Sequence, residues 1–222
     1  MKNLTFLVVA LLPLVAFAQQ PDQAKIQDLT EKNWQHGLSV LTDIVSMPND
    51  AYYPEQIEVN LTWCEKQFDQ RGYTTERLNT SGIPLLLVEK KQPGVTKTAL
   101  FYFHVDGQAV DRSKWFQPDP YIPVLKSQNE KGEWEIIPME KLKSGYDPEW
   151  RIYARSSSDD KGPIAMFLTA WDALAQSKIA PNYNIKLILD FEEEQGSPLL
   201  PKAVIQITCV SVDLCRNLVL LA

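Results

Sequence analysis

The sequence predicts an α/β layered domain, and three observations carry that prediction. Runs at 98–103 and 185–189 are mostly apolar and of strand length, as expected for strands buried on both faces. Apolar positions recur at helical spacing over 23–46, 54–70 and 163–175. Helical and extended segments alternate along the chain, which favours helices layered on a sheet.

Taken in order, the first helix places Ile26, Leu29, Trp34, Leu38, Leu41, Ile44 and Val45 on a common side, with a break expected near Gly37. Met47-Pro-Asn-Asp50 is a stop and turn. The second helix opens with Pro54 and Glu55 in its first turn, aligns Ile57, Leu61, Cys64 and Phe68, and closes at Arg71-Gly72. Short strands follow at 74–78 and 84–88, a turn at 90–94, and then the strongest interior strand at 98–103. From 107 to 149, five prolines and three tryptophans by residue 150 describe a long loop carrying short strands, and loops of that length are usually functional. A brief strand at 151–154 precedes the helix at 163–175, which starts on Pro163 and aligns Ile164, Phe167, Leu168, Trp171 and Leu174. After the strand at 185–189, Pro198 to Pro201 suggest a helix start, yet residues 204–210 are rich in β-branched side chains.

The bulk numbers narrow the function classes. The 222 residues suffice for one domain with a sizeable core and are few for two. Hydrophobic residues at 45% and charged residues at 23% describe a folded chain, not a disordered one. A net charge of -6 without a basic cluster gives a nucleic-acid partner no electrostatic support. Lys2, the apolar run from Leu4 to Val15 and Ala16-Phe-Ala18 form an export leader over residues 1–18, too short for a membrane span. Cleavage near Ala18 would place the mature chain, without an integral membrane segment, in a periplasm or outside the cell. Cys64, Cys209 and Cys215 do not make a disulfide framework; Cys64 reads as a buried small hydrophobe, and a Cys209–Cys215 bridge stays open.

Chemistry concentrates at element ends. Asp190-Phe-Glu-Glu-Glu-Gln-Gly-Ser-Pro198 crowds carboxylates where a strand finishes, His104 and Asp106 follow another strand, and Asp159 precedes a helix. One imidazole with several carboxylates suits divalent metal ions of hard or borderline character. His36, in the first helix, reads as a structural histidine.

Phe103-His-Val-Asp-Gly107, Ala154-Arg-Ser-Ser-Ser-Asp-Asp-Lys-Gly-Pro163 and Phe191-Glu-Glu-Glu-Gln-Gly-Ser-Pro198 together resemble the di-zinc exopeptidases and amidohydrolases, over about residues 25–200. This family includes carnosine-type dipeptidases, glutamate carboxypeptidase, aminoacylase, acetylornithine deacetylase and succinyl-diaminopimelate desuccinylase. The resemblance implies the N-terminal half of a three-layer catalytic domain with a mostly parallel mixed sheet. It implies His104, Asp159 and Glu194 as metal ligands, with Asp159 bridging two Zn²⁺ ions, for which Mn²⁺ or Co²⁺ can substitute. Asp106 orients the His104 imidazole, and Glu193 is the general base that takes a proton from water and returns it to the departing amine. Asp160 falls at a variable position and reads as a helix-start carboxylate, and Glu192 reads as a solvated neighbour. The implied substrate is a small peptide or N-acyl amino acid with a free carboxylate.

Departures from the family pattern shape the remaining expectations. Ser156 stands where relatives usually carry glycine. Asp213 is the sole acidic candidate for a later ligand and, nineteen residues after Glu194 (213 minus 194), stands too early; the 28 residues after Glu194 (222 minus 194) contain no histidine, and the lid and dimerisation domain has no match. The domain therefore runs over 19–204, with an atypical apolar tail at 205–222, an incomplete ligand set and uncovered apolar surface that favours self-association. A truncated, weakly metal-binding and inactive hydrolase is one expectation, and a peptide- or amino-acid-binding fragment without catalysis is the other.

Overall fold

In a computed structural model, residues 22–78, 82–210 and 218–221 are described. The leader at 1–18, Asp213 and Cys215 lie outside them, as does the Cys209 side chain.

Helix α1 (Gln23–Val45) is capped by Asp22, whose carboxylate accepts from the Lys25 backbone amide at 2.8 Å. It runs unbroken through Gly37, so the expected break does not occur. The glycine instead permits close packing: a Cβ there would lie 2.9 Å from Thr169 Oγ1. Helix α2 (Pro54–Asp69) starts on its proline and buries Ile57, Leu61, Cys64 and Phe68. Gly72, at φ 71°, then turns the chain into β1 (Thr74–Leu78), which β2 (Leu85–Lys90) pairs antiparallel.

After β3 (Thr98–His104), the long segment forms its own sheet from β4 (Val124–Gln128), β5 (Trp134–Ile137) and β6 (Arg151–Tyr153), in the order β5-β4-β6. Helix α3 (Lys161–Gln176) returns to the main sheet, followed by β7 (Asn184–Asp190), helix α4 (Leu200–Val210) and β8 (Leu218–Leu221). The main sheet has the order β1-β2-β7-β3-β8. It is antiparallel from β1 through β7 and parallel from β7 through β8, a mixed sheet in an α/β domain as expected. The β-branched segment 204–210 lies inside α4, against its strand propensity. No helix among the described residues is long and apolar enough to cross a membrane.

The core lies on one face of the sheet. Leu86, Val88, Leu187 and Leu189 pack there against Ile44, Leu61, Phe68, Ile164 and Leu168 of α1, α2 and α3. Phe167 of α3 meets Phe101 edge-on at 5.0 Å between ring centres and Phe103 at 6.0 Å, fixing α3 over β3. On the other face, Leu85, Leu87 and Ile188 are covered by Ala203, Leu200 and Val204 of α4.

Lys161 joins this core to the turn that precedes α3. Its side chain is fully buried, and Nζ donates to the carbonyls of Ile44 (3.0 Å) and Met47 (2.7 Å) where α1 ends. Burial pushes its ammonium down to about 7. Replacing it by methionine, Lys161→Met, removes the side-chain donor from both carbonyls, of which that of Ile44 keeps the long bond from the Met47 amide at 3.4 Å, and is expected to lower unfolding free energy by about 1–3 kcal/mol in urea titrations. That difference should widen as pH rises from about 7 towards the ordinary lysine value of 10.5, because the unfolded chain there binds a proton that the buried amine has released.

Candidate active site

The pairing of β3 with β7 builds the site. The strands are parallel and place His104 opposite Asp190, so both chains leave the sheet at the same end, where ligands of open α/β sheets collect. The Val105 amide extends the ladder by donating to the Asp190 carbonyl at 2.8 Å. Beyond it, Asp106 is completely buried, with Oδ1 accepting from the Glu193 amide at 3.1 Å and Oδ2 from the Glu194 amide at 3.0 Å. Its carboxylate therefore fixes the acidic turn after β7. Oδ1 also lies 3.5 Å from His104 Nδ1, a charge contact too long for a strong hydrogen bond, and that buried nitrogen has no hydrogen-bond partner.

The opposite edge of the imidazole faces the turn before α3. His104 Nε2 lies 2.7 Å from Asp159 Oδ1, joining a buried ring to an exposed carboxylate. Burial opposes the imidazolium, but Asp106 and Asp159 outweigh it and raise the His104 pKa to about 9. Asp160 does not cap α3 with its side chain. Its Oδ2 accepts from the His104 backbone amide at 3.2 Å, so it positions the histidine from behind, and burial raises its pKa. The Asp159–Asp160 peptide bond is cis. Glu193 Oε2 stands 3.9 Å from His104 Nδ1, whereas Glu194 Oε2 accepts from Gln108 Nε2 at 2.9 Å. Thus His104, Asp106, Asp159 and Glu193 are brought together, while the Glu194 carboxylate is turned to Gln108. Glu192 is half-buried rather than solvated, and burial raises its pKa, with Asp190 and Asp106 adding to the effect.

Asn49 is the residue that sequence reasoning missed. It is fully buried, and Nδ2 donates to the Val105 carbonyl at 2.6 Å and to Ser156 Oγ at 3.0 Å. Its own carbonyl accepts from the Gly107 amide at 2.9 Å. It thereby clamps the β3 exit to the turn carrying Asp159. Ser156 sits in the left-handed region at φ 59°, strain of about 1–2 kcal/mol for a non-glycine residue, which its bond to Asn49 offsets. Gly107 is required by proximity, since a Cβ there would lie 2.3 Å from Ser156 Oγ. The other histidine stays outside the site: His36 Nε2 meets Asp172 at 2.8 Å, and Arg71 holds that same carboxylate. Cys64 is fully buried and its thiol is pushed up to about 12, so it is inert packing.

Among the described residues, no group of three or more His, Cys, Asp or Glu side chains is spaced to hold a metal ion. In kind the donors still fit zinc. An imidazole nitrogen and a carboxylate oxygen point at each other from a buried strand end and a fixed turn, with further carboxylates beside them.

A site assembled at the parallel strand ends of a mixed α/β sheet, with helices on both faces, is the arrangement of a ligand-binding α/β domain. The chain belongs to peptidase family M20/M25/M40, which matches residues 100–213, just over half of its length. Beta-Ala-His dipeptidase of Homo sapiens is 26% identical over 121 residues, covering 54% of this chain and 20% of the relative. The Mus musculus protein of the same name is 25% identical over 123 residues, covering 55% and 20%. The chain thus spans about a fifth of the length of the curated relatives it matches. Among solved structures, human carnosine dipeptidase 1 superposes with a TM-score of 0.66 at 18% identity, covering 87% of this chain and 39% of that one. The dipeptidase Dug1p of Saccharomyces cerevisiae gives 0.64 at 18% identity, with 82% and 36% covered. An M20 family metallo-carboxypeptidase of Sulfolobus solfataricus gives 0.60 at 24% identity, with 83% and 36% covered. These likenesses establish the fold.

Gly107→Ala drives a methyl into the clamp and is expected to lower stability by about 1–3 kcal/mol. Because the nearest obstacle is Ser156 Oγ, adding Ser156→Gly should restore part of that loss. Thermal unfolding of the single and double variants measures it, and a double variant less stable than Gly107→Ala alone would contradict the clamp.

Proposed function

We propose that this chain carries the nucleophile-generating part of a metal-dependent exopeptidase site that hydrolyses amide bonds of small peptides or N-acyl amino acids. The observation that carries this reading is the buried His104 facing Asp159 at 2.7 Å, with Glu193 held beside it by the Asp106 bracket. His104 and Asp159 would hold one ion, and Asp159 and Glu194 a second. Bound Zn²⁺, or Mn²⁺ or Co²⁺ in its place, supplies Lewis acidity towards an amide carbonyl and towards water.

The chain's own groups do the remainder. Asp106 fixes the Glu193 backbone and lies beside His104 Nδ1, so a carboxylate base and an imidazole ligand keep a set spacing. Glu193, exposed on one side, takes a proton from water and gives it to the departing amine nitrogen. His104 must give up its own proton to act as a ligand, and with its pKa raised to about 9, metal affinity should strengthen as pH rises towards that value.

On this reading the 222 residues alone offer two protein donors to each ion, bind metal weakly and turn over slowly if at all. Residues 1–18 direct export, with cleavage near Ala18 and action in the periplasm or outside the cell. Self-association through uncovered apolar surface belongs to the same proposal, and sedimentation velocity tests it. A peptide-binding fragment without catalysis is the second reading, favoured by the absence of a three-ligand group among the described residues.

Zinc titration at several pH values, beside hydrolysis of dipeptides and N-acyl amino acids, separates the two readings. The exopeptidase reading expects His104→Ala to weaken zinc binding by about tenfold or more. It also expects Glu193→Ala to abolish any hydrolysis while keeping the metal. Zinc binding indifferent to His104→Ala would refute the metal assignment, and metal-dependent turnover indifferent to Glu193→Ala would refute the base.

A further inference from the structure

Glu194 differs from the other carboxylates of the site in what holds its side chain. Asp159 lies 2.7 Å from the His104 imidazole and Glu193 3.9 Å from it, whereas Glu194 Oε2 accepts from the side-chain amide of Gln108, Nε2, at 2.9 Å. Among the described residues no lysine or arginine lies within ion-pairing distance of Glu193 or Glu194. A neutral donor therefore stands where a carboxylate would ordinarily attract a cation.

The main chain is fixed at both ends of this bridge. Gln108 leaves the β3 exit just after the Val105 amide donates to the Asp190 carbonyl at 2.8 Å and the Gly107 amide to the Asn49 carbonyl at 2.9 Å. Glu194 is pinned through its own amide to Asp106 Oδ2 at 3.0 Å. Two residues of one segment, Asp106 and Gln108, thus grip the same glutamate, one by its backbone and one by its side chain. What remains free is side-chain torsion, and the Gln108 bond sets it.

We infer that Gln108 is a positioning residue for Glu194, a neutral latch that keeps this carboxylate aside from the His104–Asp159 pair until a divalent cation draws it in. This rests on the exopeptidase reading for the identity of the ion. Three like charges gathered around His104 without a cation repel one another, and turning one of them outward relieves the crowding. A lysine in the place of Gln108 would relieve it too, but as a fixed charge it would compete with the metal for the same oxygens. The amide does not. The consequence is unequal loading: the position offered by His104 and Asp159 fills first. The position that needs Glu194 fills second, its apparent affinity reduced by the fraction of molecules in which the latch is closed.

The test uses the full 222-residue chain and reads binding, not turnover. With chelator present, the Gln108 side-chain amide resonances are compared by NMR in the unaltered chain and in Glu194→Ala. The bond predicts a downfield amide proton that moves to the free-amide position in the variant. Zinc titration by calorimetry then compares the unaltered chain with Gln108→Met, which keeps the side-chain length and removes the donor. The expected result is that the weaker binding step tightens by about three- to tenfold, or becomes measurable where the unaltered chain shows one step only, while the stronger step changes by less than about twofold. Amide resonances indifferent to Glu194→Ala, no tightened second step in Gln108→Met, or an equal change in both steps would overturn the inference. Failure of the exopeptidase reading would show differently, as a stronger step that is missing or indifferent to His104→Ala.

Discussion

The buried carboxylate of Asp106 holds the site together. It accepts from two successive backbone amides after β7 while its own strand, β3, pairs in parallel with β7. A carboxylate removed from water is tolerated only when its oxygens are satisfied, and here the partners are the amides that set the direction of Glu193 and Glu194. The same group faces the His104 ring. Position of the base, position of the acidic turn and environment of the imidazole are consequently one constraint, not three. A change at Asp106 would be felt at each of them together.

The second constraint joins that strand end to the turn before α3. Asn49, from the segment linking α1 to α2, holds Val105 and Ser156, while Lys161 anchors the start of α3 to the end of α1. Asp159 is thus exposed at its tip but fixed at both flanks. Ser156 adopts a backbone conformation that suits glycine, and its hydroxyl gives Asn49 a partner that glycine could not. This protein has traded backbone ease for a side-chain bond at the turn.

Much of this was legible in the sequence, for reasons that are local. The β3 and β7 runs are apolar throughout most of their length, and α3 carries an apolar face behind Pro163, so periodicity located them. Each of the three motifs alone is modest, and they were visible because all three occur in order, each at the end of a strand or the start of a helix. What stayed hidden depends on contacts between distant segments. Asn49 looked like a turn residue because its partners lie 56 and 107 positions away. Gly37 looked like a helix break because Thr169, against which it packs, is on another helix. Asp160 looked like a cap because its bond to the His104 amide spans the domain, and Glu192 looked solvated because burial is not written in a run of three glutamates.

The order of strands has a consequence for how the chain comes to be folded. Strands β2 and β3 are neighbours in sequence but not in space, for β7 lies between them and pairs with both. A nascent chain that has emerged only as far as α3 has β1, β2 and β3 but neither β7, which joins them, nor β8, and so presents unsatisfied edges on both β2 and β3. Loop closure must span from β3 across the whole three-strand excursion and α3 before either edge is quenched, which makes assembly a long-range and slow event. During that interval the exposed edges are templates for pairing with other chains.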